Sequence, residues 1–137
     1  MGRTENSQSV WMNSLGKKDL AVHFVRDTLG CACPDEVFNH YQILRGRSEH
    51  GPYIQLVMGD RLLVKIIEMS ELSLTKEAVL EMLSNGVEER ERRRLNRFRL
   101  VIVADPSPEI QKKITELSNK MDSRVHIHII SPDAMAF

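Results

Sequence analysis

The two cysteines of the chain lie one residue apart, at Cys31 and Cys33, within the stretch Gly-Cys-Ala-Cys-Pro-Asp-Glu. Cys33 directly precedes Pro34 and takes the N-cap position of a predicted helix, where the helix dipole and unbonded N–H groups stabilise a thiolate. The carboxylates of Asp35 and Glu36 oppose that effect, because they compete for the same N–H groups. A disulfide between the two cysteines would close a strained, easily reduced ring. The pattern indicates local thiol or metal chemistry, with simple helix capping as the alternative.

A second pair of candidate ligands lies at His126 and His128, in the run Val-His-Ile-His-Ile-Ile. Alternation along a β-strand places both imidazoles on one face. Zinc takes Cys, His and carboxylate ligands, so Cys31, Cys33, His126 and His128 together make a zinc or iron site one hypothesis. Nothing in the sequence brings the cysteines to the last strand, and histidines on the polar face of a half-buried strand need no metal. Both interpretations stay open.

Acids and hydroxyls follow three predicted strands and form a second candidate site. In open α/β sheets, ligands bind beyond the carboxyl ends of the parallel strands. Such a crevice could hold a hard cation or a hydroxyl-rich ligand, although the same residue types also cap helices and form turns. The five candidates are Glu68, Asp105, Ser107, Ser131 and Asp133.

The elements that must position these residues begin with two predicted helices. Residues 1–16 are polar and aperiodic and predict a flexible N-terminal arm, and residues 17–137 predict a single α/β domain. One helix runs from Lys17 to a stop at Gly30. A second begins at Pro34 and is followed by a loop over residues 45–52. The apolar face of this second helix consists of Val37, Phe38, Tyr41 and Leu44.

Two apolar runs, Tyr53 to Met58 and Arg61 to Met69, flank Gly59-Asp60 and predict a β-hairpin. The second run is nearly continuous from Leu62 to Ile67, where Lys65 is the only charge, and is therefore expected to be a central strand. The hairpin thus supplies the first two strands of the predicted sheet.

The rest of the chain alternates helices and strands. A helix follows a Ser73 or Thr75 cap and meets a stop signal at Asn85-Gly86, beyond which the Arg-rich segment 88–99 could continue it. Arg-Leu-Val-Ile-Val-Ala-Asp is a buried strand, Ser107 caps the next helix, and Arg-Val-His-Ile-His-Ile-Ile-Ser is the last strand. The fold class is α/β: a mixed four-stranded sheet, with an N-terminal hairpin followed by β-α-β-α-β with parallel strands, preceded by two helices.

Composition and charge limit the classes of partner and the cellular compartment that we expect for this chain. Nineteen basic and nineteen acidic side chains cancel, so no global field favours nucleic acid or an anionic membrane. Arginines of segment 88–99 alternate with glutamates, which favours intrahelical pairs over phosphate contacts. No apolar run reaches the roughly 20 residues of a membrane helix. Two closely spaced cysteines and no secretory leader favour a reducing cytoplasm.

Three hypotheses for function follow from these patterns. The first is a non-catalytic binding or assembly module, expected to form a homo-oligomer or to take a protein partner. The second is a metal or thiol site built on Cys31 and Cys33, with His126 and His128. The third is an enzyme that uses the acids at the strand carboxyl ends. P-loop, dinucleotide-binding and nucleophile-elbow motifs are absent from the sequence.

Overall fold

The computed structural model describes residues 18–29, 40–59, 61–121 and 123–135. Outside the described residues lie the predicted arm (residues 1–16), Cys31, Cys33 and the predicted start of the second helix at Pro34. In chain order the elements are helix α1 (Lys18–His23) with a π-helical extension (Phe24–Thr28), strands β1 (Tyr41–Ser48), β2 (Gly51–Met58) and β3 (Leu62–Glu68), a 3-10 turn (Glu71–Ser73), helix α2 (Lys76–Arg92), strand β4 (Arg97–Val103), helix α3 (Pro108–Asn119), strand β5 (Val125–Ile130) and a 3-10 turn (Pro132–Met135).

The strands form one mixed sheet whose spatial order, β1-β2-β3-β4-β5, is also their order in the chain. The first three strands form an antiparallel meander, and β3, β4 and β5 are parallel. Only β2 therefore runs against the others. The turn between β1 and β2 consequently lies at the same edge of the sheet as the carboxyl ends of β3, β4 and β5.

Each face of the sheet carries its own apolar cluster. On one face, Phe24 and Val25 from the N-terminal helical segment pack with side chains from β2, β3 and β4. On the other, α2 and α3 cover Ile67, Phe98 and Ile102, among others. Strands β3 and β4 are buried on both faces, which explains why each reads as an almost continuous apolar run.

The prediction of four strands and two leading helices is wrong in one segment. Residues 41–48 form β1, the fifth strand of the sheet, where the sequence predicted the end of a second helix and the start of a loop. Pairing with β2 decides the conformation here, since Tyr41 through Ser48 all have register partners. Gly46 lies opposite Tyr53, whose ring packs against it so closely that a Cβ atom would overlap the ring. A glycine that looks like a helix stop is thus a packing site within a strand.

The sequence left open whether Asn85-Gly86 ends the helix, and the structure shows that it does not, because α2 continues to Arg92. Gly86 is buried and faces the ring of Phe98, where a Cβ atom has no room. The helix ends instead near Arg94, the one described non-glycine residue with a positive φ, +58°. Most of the Arg-rich segment is therefore helical, with Arg90 only 4% exposed.

The predictions for the second hairpin, the parallel strands and two helix caps are confirmed. The β2–β3 hairpin and the parallel β-α-β-α-β portion are present, with β3 in the centre of the sheet. Thr75 Oγ1 accepts from the Ala78 N–H at 3.1 Å, and Ser107 Oγ accepts from the Ile110 N–H at 3.4 Å, so both helices have the expected caps. In the described ranges, no helix combines the length and apolar character needed to cross a membrane.

Candidate metal centre

A two-residue turn, Glu49-His50, joins β1 to β2 and presents both side chains at the edge of the sheet. Ser48 fixes the turn: its Oγ accepts from the His50 N–H and donates to the Gly51 carbonyl, both at 3.2 Å. Gly51 has a φ of +121°, a conformation that glycine adopts without strain. The turn is therefore a defined structure, held by its own hydrogen bonds.

Helix α2 brings a third ionisable side chain to this turn. His50 Nε2 lies 3.7 Å from an oxygen of Glu49 and 3.7 Å from an oxygen of Glu81. The His50 side chain is only 18% exposed. Its Nε2 atom is buried and has no hydrogen-bond partner among the described residues. A buried polar atom without a hydrogen-bond partner destabilises the folded state. Because this nitrogen is such an atom and lies equally far from both carboxylates, we take it as the centre of the cluster.

Within the cluster, Glu81 perturbs the carboxyl group of Glu49. A hydrogen bond with Glu81, and the negative charge of that residue, raise the pKa of the Glu49 carboxyl, while the neighbouring His50 lowers it by a smaller amount. Two carboxylates this close cannot both ionise freely. A cation bound between the two carboxylates would relieve this repulsion.

The separation of the three ligand atoms fits a small dication. One ligand atom from each of Glu49, His50 and Glu81 lies within 4.8 Å of the other two. Zinc binds nitrogen and carboxylate oxygen near 2.1 Å, so two ligands of a tetrahedral ion lie about 3.4 Å apart. Side chains at 3.7 Å need to move inward by only a few tenths of an ångström. One imidazole and two carboxylates also suit Mn²⁺ or Fe²⁺.

A second polar group lies on the same face, between β2, β3 and α2. The half-buried Lys65 places its Nζ 4.3 Å from the centre of the Tyr53 ring. Burial lowers the pKa of Lys65, and the negative charges of Glu89 and Glu81 partly counteract this. Glu81 therefore contributes to the electrostatic environment of both the turn cluster and Lys65.

Glu89 connects α2 to β2 through a buried amide. Gln55 Nε2 donates to Glu89 at 2.9 Å, and Arg93 Nε donates to the same oxygen at 2.7 Å. Burial would raise the pKa of Glu89, but these two hydrogen bonds and the charges of Arg93 and Arg92 hold it below its ordinary value. Glu89 is thus a structural anchor whose pKa is lowered, whereas the pKa of Glu49 is raised.

The predicted histidine pair lies on the opposite face of the sheet, on β5. As expected from alternation, His126 and His128 share a face, with ring centroids 6.5 Å apart. His128 Nε2 is 3.2 Å from Nη1 of Arg99, which also donates to the Leu29 carbonyl at 2.6 Å. A guanidinium only donates, so Nε2 is the acceptor. Burial, then Arg99 and His126, lower the pKa of His128 to about 4.

A positive guanidinium beside His128 does not favour a cation at that nitrogen. The other two proposed ligands, Cys31 and Cys33, fall outside the described part of the chain, so the four-residue site stays a prediction. The contact with Arg99 nevertheless places Leu29, two residues before Cys31, beside β4 and β5.

The predicted crevice residues come together at one edge, since Met69 N bonds Val103 O and Ala104 N bonds Ile130 O. Glu68 ends β3, the Ser107 hydroxyl caps α3, and Ser131 Oγ accepts from the Asp133 N–H at 3.3 Å. Asp105 and Asp133 are exposed. The hydroxyls therefore serve the backbone, and the role of the acids stays a prediction.

The sequence predicted a loop for Glu49 and His50, and its pattern did not single out Glu81. The available signal was the pair Glu49-His50 just before Gly51, which is the composition of a tight turn. Nothing in the spacing of 31 residues from His50 to Glu81 reveals their contact. Comparisons of the chain with protein-family models, curated proteins and solved structures give no significant match, so function rests on the site itself.

Proposed function

We propose that this chain is a binding module whose ligand is a divalent transition metal, zinc in the first place, held by Glu49, His50 and Glu81. The observation that carries the proposal is the buried, unpartnered His50 Nε2 positioned 3.7 Å from each of two carboxylates. A neutral imidazole and two carboxylates are a common transition-metal ligand set, and they leave further coordination positions for water or a partner's side chain.

The position of the cluster supports the same proposal. It lies at the carboxyl edge of the sheet, where open α/β folds bind ligands. Two of its ligands lie on a short, hydrogen-bonded turn and the third on a helix of 17 residues, so binding would tie the hairpin to α2. We retain the cytoplasm as the expected compartment, because the two closely spaced cysteines are expected to stay reduced there.

Metal content and calorimetry test the proposal. The untagged chain is equilibrated with Zn²⁺, dialysed and analysed for metal, and Zn²⁺ and Mg²⁺ are titrated separately. We expect one zinc per chain, weaker binding of Mg²⁺, and at least about a tenfold loss of zinc affinity in His50→Ala and in Glu81→Gln. Glu88→Gln, which removes an exposed carboxylate from the same helix, serves as the matched control and should bind zinc normally.

A thiol site is the second candidate, and Arg99 is the observation that favours it. Its guanidinium holds the Leu29 carbonyl, and two residues of chain span at most about 7 Å. A cation near the start of the Cys31–Cys33 segment would favour a thiolate. Cys31→Ser with Cys33→Ser is therefore measured beside the other variants: zinc lost there and retained in His50→Ala would refute the Glu49–His50–Glu81 site and support the thiols.

A further inference from the structure

Among the described strands β5 is the last of the sheet, and half of its backbone groups point away from its neighbour β4. Phe98 N donates to Arg124 O and Ala104 N donates to Ile130 O across the β4–β5 ladder. Even-numbered residues of β5 therefore face β4 with their N–H and C=O groups. By alternation, the groups of Val125, Ile127 and Ile129 point outward, and among the described residues no further strand pairs with this edge.

The cavity beside this edge is lined by uncharged residues. Ile127 and Ile129 are half-buried and, with α3, border a shallow cavity of about 140 Å³. The remaining residues that line it are all neutral: Gln111, Ile114, Thr115, Ser118 and Asn119. In a chain with 28% charged residues, a neutral strip along an unpaired strand is unusual, because charges on edge strands are what ordinarily prevents pairing.

The other edge of the sheet is protected in this ordinary way. Strand β1 exposes Arg45 and Arg47. Pairing of β1 with β1 of a second copy would bring arginines together, and like charges across a ladder are destabilising. Strand β5 meets no such repulsion with itself, and the zero net charge of the chain adds no long-range repulsion between copies.

We propose that β5 pairs antiparallel with β5 of a second copy of this chain, about a two-fold axis at Ile127, to give a continuous ten-stranded sheet. In this register Ile127 bonds Ile127 of the second copy, and Val125 bonds Ile129 in both directions. All three outward-facing residues of β5 are thereby satisfied. Antiparallel pairing about a residue is self-complementary, as an isologous interface requires.

Side chains in this register also match. Isoleucines and valines meet on the face that carries α3, and the neutral flanks of the two α3 helices approach each other. On the opposite face, His126 lies across from His128 of the second copy. On one face of the joined sheet apolar side chains thus meet apolar side chains, and on the other face histidines meet histidines, as an edge-to-edge interface requires.

Sedimentation equilibrium of the full-length chain, over a range of concentrations and with chelator present, tests the interface. We expect a dimer of twice the 15.7 kDa chain mass that dissociates on dilution. Ile127→Pro removes an outward N–H without touching the β4 ladder, as an edge strand tolerates, and should raise the dissociation constant at least about tenfold. Thr115→Lys, at an exposed position on α3, should do the same without any change within the sheet.

Two controls make the result decisive. Gln42→Lys adds the same charge at an exposed position of β1, and His50→Ala removes a proposed metal ligand; both should remain dimeric. A chain that is monomeric at every concentration overturns the proposal. A dimer that survives both Ile127→Pro and Thr115→Lys overturns it as well, because the interface then lies elsewhere.

Discussion

Gly86 of α2 lies against the ring of Phe98 in β4 so closely that a Cβ atom at residue 86 would overlap the ring. Phe98 is completely buried, and it is one of the largest side chains in the core. The glycine thus sets the distance between helix and sheet. Since Glu81 and Glu89 are on the same helix, this distance also positions the side chains that α2 contributes to the turn cluster and to Gln55.

Replacement of Gly86 by alanine tests this relationship. In an open helix the change would add roughly 1 kcal/mol to the free energy of unfolding. Here the methyl group must displace Phe98, and overpacking of this kind costs about 1–3 kcal/mol. We therefore expect Gly86→Ala to lower the free energy of unfolding, as measured by urea denaturation. Asn85→Ala, at the exposed neighbouring position, should be neutral or slightly stabilising; equal behaviour of the two variants would contradict the packing argument.

The lowered pKa of His128 predicts acid sensitivity. Its folded-state pKa is about 4 and its unfolded value is about 6.5, so the unfolded chain takes up the proton first. Its contribution to stability is complete above about pH 6.5 and falls as the pH approaches about 4. We expect this contribution to be about 2 kcal/mol, which is less than the full pKa shift would give, because solvent screens part of the effect. His128→Gln should flatten the pH profile of thermal unfolding, whereas His40→Gln, at an exposed site, should leave it unchanged.

Arg99 is expected to hold the N-terminal helical segment against the sheet. Arg99→Met removes the donor to the Leu29 carbonyl and leaves that carbonyl without its charged partner, at a cost of about 1–3 kcal/mol. Hydrogen exchange should then accelerate in residues 18–29 but not in α2 or α3. Arg97→Met, at an exposed position of the same strand, provides the control. Uniform acceleration across the chain would show that Arg99 has no such local role.

Proton and metal are expected to compete in the turn cluster. The pKa of Glu49 is raised, first by its hydrogen bond with Glu81, so as the pH falls Glu49 takes up a proton earlier than an ordinary glutamate and a dication must displace it. Zinc affinity should therefore fall as the pH is lowered towards the raised pKa of Glu49, and the fall should begin at a higher pH than for an ordinary glutamate ligand. Glu49→Gln should weaken binding at neutral pH and make the remaining dependence shallower. An affinity independent of pH would speak against carboxylate ligands.

Much of the fold was predictable because its central elements have strong local patterns. Strand β3 reads as a continuous apolar run around Lys65, and α3 begins with Ser107 and Pro108 in their typical positions. Strand β1 was not predictable in this way. Tyr41 and Leu44 are three residues apart, which fits a helix, and an edge strand exposes every second residue, so its apolar signal is weak.

The candidate site was less predictable than the fold. The parallel strands predicted a ligand site at the edge of the sheet where their carboxyl ends lie, and the turn cluster lies at that edge. Its residues, however, come from a turn that was predicted as a loop and from Glu81, whose contact with His50 spans 31 residues and depends on how α2 packs. Likewise, the hydrogen bond from Arg99 to the Leu29 carbonyl connects residues 70 positions apart in the sequence, and no local pattern predicts a contact over that separation.

The identity of spatial and chain order among the strands has a consequence for how the molecule assembles. Each strand after β1 pairs with the strand before it in the chain. The sheet can therefore form in order from β1 to β5 during synthesis, because each new strand finds its partner already made. Such near-neighbour pairing is associated with rapid folding. Helix α1 is the exception: it is synthesised before the strands, and its packing partners on β2, β3 and β4 all appear later, those on β4 some seventy residues later. We expect it to dock fully only after β4 has joined the sheet.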